Sequence, residues 1–184
     1  MPAPLLVTFA ANDTGPWRID RVDTVTGEGM AAARRLAVFE SQAPSASEGE
    51  AWRLSGTTSN LRYTHRPEVQ ALTAIQEGLG RRQATRAALI PIRKSEAWWN
   101  LSQDERRACL EEQSHHIALG LEYLPAVARR LHHCRDLGGP FDFLTWFEYA
   151  PEDEGRFESL VRSLRGTPEW KYVDREVDIR LTRD

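Results

Sequence analysis

The chain has 184 residues, 41% of them hydrophobic and 28% charged, the profile of an ordinary globular protein. A net charge of −3, with acids and bases interspersed, offers no basic face for nucleic acid, and no apolar run approaches the ~20 residues needed to span a bilayer. The opening MPAPLLVTFAAND lacks a basic signal-peptide region, and Cys109 and Cys134 form neither a CxxC nor a CxxCH motif, so a cytoplasmic protein with free thiols is expected.

PLLVTFAAN (4–12) reads as a strand closed by the turn NDTG, and PWRIDRVDTV as a second strand. GMAAARRLAVFES suits a helix, followed by the polar loop QAPSASEGE. AWRLSGTTSNLRY (51–63) is strand-like. A helix then opens with Thr64 as cap and Pro67 in the first turn, and Val69, Leu72, Ile75 and Leu79 recur at helical period. In the second half, ATRAALIPIRK (84–94) is a strand with Ala88, Ile90, Ile92 and Lys94 on one face. Ser102 and Glu105 have capping-box spacing and start a helix expected to last to about His116. AVARRLHHC is a strand, RDLGGP a turn, and FDFLTWFEY a strand in which Phe141, Phe143, Phe147 and Tyr149 share a parity. Phe157, Leu160, Val161 and Leu164 mark an amphipathic helix. The last strand alternates, with Val173, Val177, Ile179 and Leu181 one way and Asp174, Glu176, Asp178 and Arg180 the other.

The second half therefore runs β-α-β-β-α-β, a ferredoxin-like order, and the first half looks like a shortened copy. The fold expected is α+β: one domain over 1–184, with ferredoxin-like repeats at 1–83 and 84–184 whose sheets curl together into a barrel. An exposed sheet surface on a small chain suits a homodimer.

Four of the five histidines lie between Gln113 and Cys134. Strand parity puts Val127, Arg129, Leu131 and His133 on one side, so Arg129 stands between apolar neighbours. A guanidinium there either joins a structural salt bridge, with Glu148 as a partner, or lines a pocket for a small anion. His115 and His116 each follow a glutamate four residues earlier, Glu111 and Glu112, which allows solvated Glu–His pairs. Tetrahedral zinc lacks its ligand spacing; one imidazole as an axial haem ligand asks for less, namely a histidine and an acceptor for its second nitrogen. Without a CxxCH motif such a haem would carry no thioether bonds. Lys94, Trp98 and Trp99 are either core residues or the cation and flat walls of a haem pocket. Asn60, Arg62 and Tyr63 are either turn residues or further polar contacts. His65, His132 and His133 read as structural or solvated.

SNLRY, IPIRKSEAWWNLSQDERR, EEQSHHIALGLEYLPAVARRLHHCRDLGGPFDFLTWFEYAP and EWKYVDREVDIRL together resemble the chlorite dismutase family, and best its short, amino-terminally trimmed, dimeric branch. The resemblance runs from residue 51 to the end. It implies a dimeric α+β barrel of ferredoxin-like repeats with haem b in the carboxy-terminal one. It implies His116 as the iron ligand, with His115 its immediate rival, and Arg129 as the distal arginine. Glu169 is then the carboxylate behind the imidazole, Lys94 its companion, and Trp98 and Trp99 match aromatic residues around the haem, with Asn60 and Tyr63 read as further cofactor contacts. The implied reaction converts chlorite to chloride and dioxygen through a ferryl species and hypochlorite. The competing expectations are a coproheme decarboxylase, a haem peroxidase of the same fold, and a haem-binding dimer without activity. Arg129 argues against the decarboxylase.

Overall fold

Strands in this chain are set by alternation of large apolar residues with small or polar ones, and the described residues contain eight of them. The computed structural model describes residues 4–58, 65–75 and 78–184. In chain order they form β1 (Leu6–Asn12), β2 (Trp17–Thr26), β3 (Arg35–Glu40), β4 (Trp52–Thr58), α1 (Arg66–Ile75), β5 (Arg86–Lys94), α2 (Glu96–Asn100) and α3 (Gln103–Arg107). There follow a π-helical segment (Ala108–Gln113), α4 (His116–Glu122), β6 (Val127–His133), β7 (Phe143–Tyr149), α5 (Glu154–Arg165) and β8 (Val173–Arg183).

The strands close into an antiparallel barrel in the order β1-β3-β2-β8-β5-β7-β6-β4, with β4 returning to β1. Within it, β4-β1-β3-β2 and β8-β5-β7-β6 repeat the same order, that of a ferredoxin-like sheet. Among the described residues, closure leaves no free sheet edge. Phe9, Leu36, Leu89, Trp146, Ile179 and Leu181 fill the interior, and Phe9 and Trp17 pack their rings on Trp146.

The outer face of β5–β8 holds a second apolar layer. Ala88, Ile90, Ile92, Phe147 and Tyr149 lie there beneath Phe157, Leu160, Val161 and Leu164 of α5, as their spacing predicts. Because one sheet face meets the barrel interior and the other a helix, β7 is buried on both. The polar side of β8 is buried too, with Glu176, Asp178 and Arg180 each under 7% exposed. They survive burial as an ion network: Arg165 donates to Glu176 and Asp178, and Arg180 to Asp178 and Glu158. Burial alone would raise the Asp178 carboxyl; Arg180 and Arg165 outweigh it and hold it below its usual value.

Four local expectations are corrected. The stretch expected as a helix, Gly29–Ser41, contains β3, because Arg35–Glu40 finds a full antiparallel register on β1, including Ala10↔Ala37. Pairing outweighs the helix preference of the alanines in and before it. The helix from Ser102 ends at Arg107, widens into the π segment and stops at His115, whose φ of 51° is left-handed. Val173 belongs to the outer layer, since a register shift between Arg93 and Lys94 turns it away from the face of Val177. Phe141 precedes β7 and enters the barrel core rather than joining Phe147. Thr64, the expected cap of α1, lies outside the described residues.

The capping box itself forms: Ser102 accepts from Glu105 N–H, and Glu105 from the Ser102 amide. Ser102→Ala should lower stability by about 1 kcal/mol, visible as a reduced urea midpoint with an unchanged slope. An unchanged midpoint would show that the box adds nothing to the folded chain.

Candidate active site

Along β6, residues alternate between the barrel interior and the layer under the helices. Arg129, Leu131 and His133 point outward, opposite Phe147, Thr145 and Phe143 of β7. These side chains, with Ile90 and Ile92 of β5, floor a cavity roofed by residues of α4 and α5. Its volume is about 1170 Å³ including the open mouth. The lining is mostly apolar, with His116, Lys94, Glu169, Arg129 and His133 among its few polar groups.

His116 is the first residue of α4, and the break before it decides its direction. His115 contributes no cap; the Glu111 carboxylate instead accepts from the amides of Ile117, at 2.7 Å, and Ala118. Glu111 is thus a helix cap, not half of a solvated Glu–His pair. His115 is exposed, whereas His116 lines the cavity.

Behind His116 stands a buried carboxylate. Glu169 is 4% exposed and accepts His116 Nδ1 at 2.8 Å and Lys94 Nζ at 2.7 Å. Burial by itself would raise the Glu169 carboxyl, but the neighbouring His116 and Lys94 outweigh it and hold it at about 2. An ionised carboxylate can only accept, so Nδ1 carries a proton, and in the neutral imidazole Nε2 is then the atom that holds the lone pair. The Lys94 ammonium also sits over the rings of Trp98, at 4.5 Å, and Trp170, at 5.6 Å. Trp170 Nε1 in turn donates to Glu176.

Arg129 approaches from the sheet. A Cβ built on Gly120 would stand 3.8 Å from its Nη2, so the guanidinium reaches α4 one turn beyond His116, ~6 Å along the helix axis. Burial lowers its pKa from the usual arginine value, yet a guanidinium remains charged in proteins. Glu148, the partner expected for a structural salt bridge, is on the opposite face: it pairs in register with Ala128 and accepts from Gly80 N–H and Trp146 Nε1.

The structure therefore brings His116, Glu169, Lys94, Trp98 and Arg129 to one cavity. Trp99 is set behind it, stacked on Phe143 and flanked by the guanidinium groups of Arg135 and Arg106 at 3.9 and 5.2 Å. Asn60, Arg62 and Tyr63 lie outside the described residues. His132 is structural: it is buried in the barrel, its ring paired with Leu144 O, and burial pulls its pKa down to about 4. His65 is exposed, but His133, read as structural or solvated, lines the cavity. Its parity with Arg129 carried that signal. Ser114, whose hydroxyl accepts from the Glu169 amide at 3.0 Å, has no sequence signal, because the two residues are 55 positions apart.

The Chlorite dismutase family model matches residues 32–184. A dimeric chlorite dismutase structure from Nitrobacter winogradskyi is 59% identical, with a TM-score of 0.89 over 96% of this chain and 99% of that one. A variant chlorite dismutase from Candidatus Nitrospira defluvii, 21% identical, matches the fold with a TM-score of 0.69 over 98% of this chain and 91% of that one. A chlorite dismutase of Ideonella dechloratans is 40% identical over 86 residues, which is 47% of this chain and only 28% of that longer relative. With the match of the family model over most of its length, the chain belongs to the chlorite dismutase family.

Proposed function

We propose that the cavity binds haem b and that the protein, as a cytoplasmic homodimer, converts chlorite to chloride and dioxygen. The side chains present suit that cofactor. The walls are apolar, one imidazole offers an Nε2 lone pair, and both cysteines are buried free thiols, so the haem would be held without thioether bonds. When bound, a haem would supply the redox chemistry by which chlorite becomes chloride and dioxygen.

The protein's part is to hold and orient. His116 would hold the iron. Glu169 keeps the proton on Nδ1 and, by its negative charge, makes the imidazole a stronger donor; Lys94 keeps that carboxylate ionised and in place. Arg129 offers a permanent positive charge inside an apolar cavity, where it can pair with chlorite on entry and retain hypochlorite until the oxygen–oxygen bond forms. Trp98 closes the wall beside Lys94.

One observation carries this reading: an imidazole backed by an ionised carboxylate and a half-buried guanidinium from another element line the same apolar cavity. The homodimer is supported by the dimeric Nitrobacter relative, and the cytoplasmic setting by the two free thiols. Among the described residues, no helix is long and apolar enough to cross a membrane.

Chlorite added to haem-loaded protein on an oxygen electrode tests the proposal. Prompt evolution of one dioxygen per chlorite is expected. Oxidation of peroxidase dyes by peroxide, with no oxygen from chlorite, would instead identify a peroxidase. A sample with no Soret band after haem addition would overturn the cofactor itself.

A further inference from the structure

The turn that carries Glu169 has an unusual beginning. It runs from Pro168 to Tyr172 as a 3₁₀ helix, and the preceding Thr167 makes no side-chain cap. Proline has no N–H, so the amide of Glu169 is the first donor of that turn, and first-turn amides have no acceptor within their own helix. Ser114 supplies it from across the fold, with Oγ 3.0 Å from the Glu169 nitrogen and its own residue 3% exposed.

Ser114 closes the π segment, two residues before His116. The same short piece of chain thus grips the Glu169 backbone through Ser114 and the Glu169 carboxylate through His116 Nδ1, at 2.8 Å. Lys94 holds the other carboxylate oxygen. With the backbone and both oxygens of Glu169 fixed, the carboxylate has little freedom to swing away from the imidazole.

We propose that Ser114 is a positioning residue: its hydroxyl holds the Glu169 amide, and through it the carboxylate–imidazole contact that sets how strongly His116 donates to iron. This rests on the haem reading above. Without the hydroxyl, the buried amide loses its acceptor, an unfavourable state that the turn relieves by shifting. The carboxylate shifts with it, and the imidazole becomes a weaker donor.

The test uses haem-loaded parent protein with Ser114→Ala, Ser114→Thr, Glu169→Gln and Ser102→Ala. It reads the iron–imidazole stretching frequency of the ferrous form by resonance Raman and the reduction potential. Ser114→Ala is expected to lower the frequency and raise the potential, in the same direction as Glu169→Gln but less far. Ser114→Thr restores the hydroxyl and should return both values towards the parent. Ser102→Ala loses a cap whose residues do not line the cavity and should leave both unchanged, which separates positioning from general loss of stability. The inference is overturned if Ser114→Ala keeps the parent values while Glu169→Gln moves them, or if Ala and Thr shift them equally. A parent protein that takes up no haem, or one insensitive to Glu169→Gln, overturns the underlying reading and this inference with it.

Discussion

Arg129→Ala is expected to retain haem while losing most of its efficiency with chlorite. His116, Glu169 and Lys94 are held by one another, so the Soret band and haem stoichiometry should match the parent. Removing a preorganised charged donor from a transition state commonly costs roughly 10²–10³ in kcat. Here the anion also meets iron, so a loss on the order of ten- to a hundredfold in kcat/KM is the expected range. The second consequence is leakage. Hypochlorite no longer paired with Arg129 escapes before it can react, so the variant should bleach its own haem in fewer turnovers, and a hypochlorite scavenger should prolong its life. Equal turnover number and equal lifetime in the two proteins would remove Arg129 from the mechanism. Arg129→Lys should recover part of the rate, since it keeps the charge but loses the planar fork.

Glu169→Gln should have the largest effect on the folded state. The side chain of Lys94 is only 4% exposed, and it would be left buried without its counter-charge. Breaking such a pair typically costs about 3–5 kcal/mol. Haem affinity should fall about 10- to 100-fold, because the imidazole loses the anion behind it. Acid titration gives an independent check. The carboxyl is held at about 2 in the folded protein, whereas an unfolded glutamate titrates near roughly 4.3. Between those values the unfolded chain binds the extra proton, so stability rises with pH through this window. The contribution is fully present above about 4.3 and is lost as the pH falls towards 2. Melting of the cofactor-free parent across that window should show the loss, and Glu169→Gln should lack that part of the acid dependence. Parallel acid profiles for the two proteins would contradict the charged pairing.

Local chemistry in the chain was enough to recover much of the second half. The faces of β5 and β6, the amphipathic α5 and the capping box at Ser102 all follow from spacing, because each depends on neighbours two to four residues away. Parity alone grouped Arg129 with Val127, Leu131 and His133 on a face read as core-facing; in the fold that face is the outer one, where the cavity lies. The likeness of the HHIALGLEYL segment to known chlorite dismutases pointed to His116, but spacing left His115 as an equal. The left-handed turn at His115 separates them, leaving one exposed and the other in the cavity.

Other features were decided only when distant segments met. Arg35–Glu40 is a strand because β1 and β2 offer it partners, not because of its own composition. The charged side of β8 is buried because α5 covers it, and Arg165, eleven residues before Glu176, neutralises what solvent would otherwise have done. Glu169 reaches His116 over 53 positions and Lys94 over 75, distances along the chain at which no periodicity operates. Periodicity specifies which face a residue takes within its own element; the depth of its burial, the charge that stands opposite and the cavity it shares are set by the element packed against it.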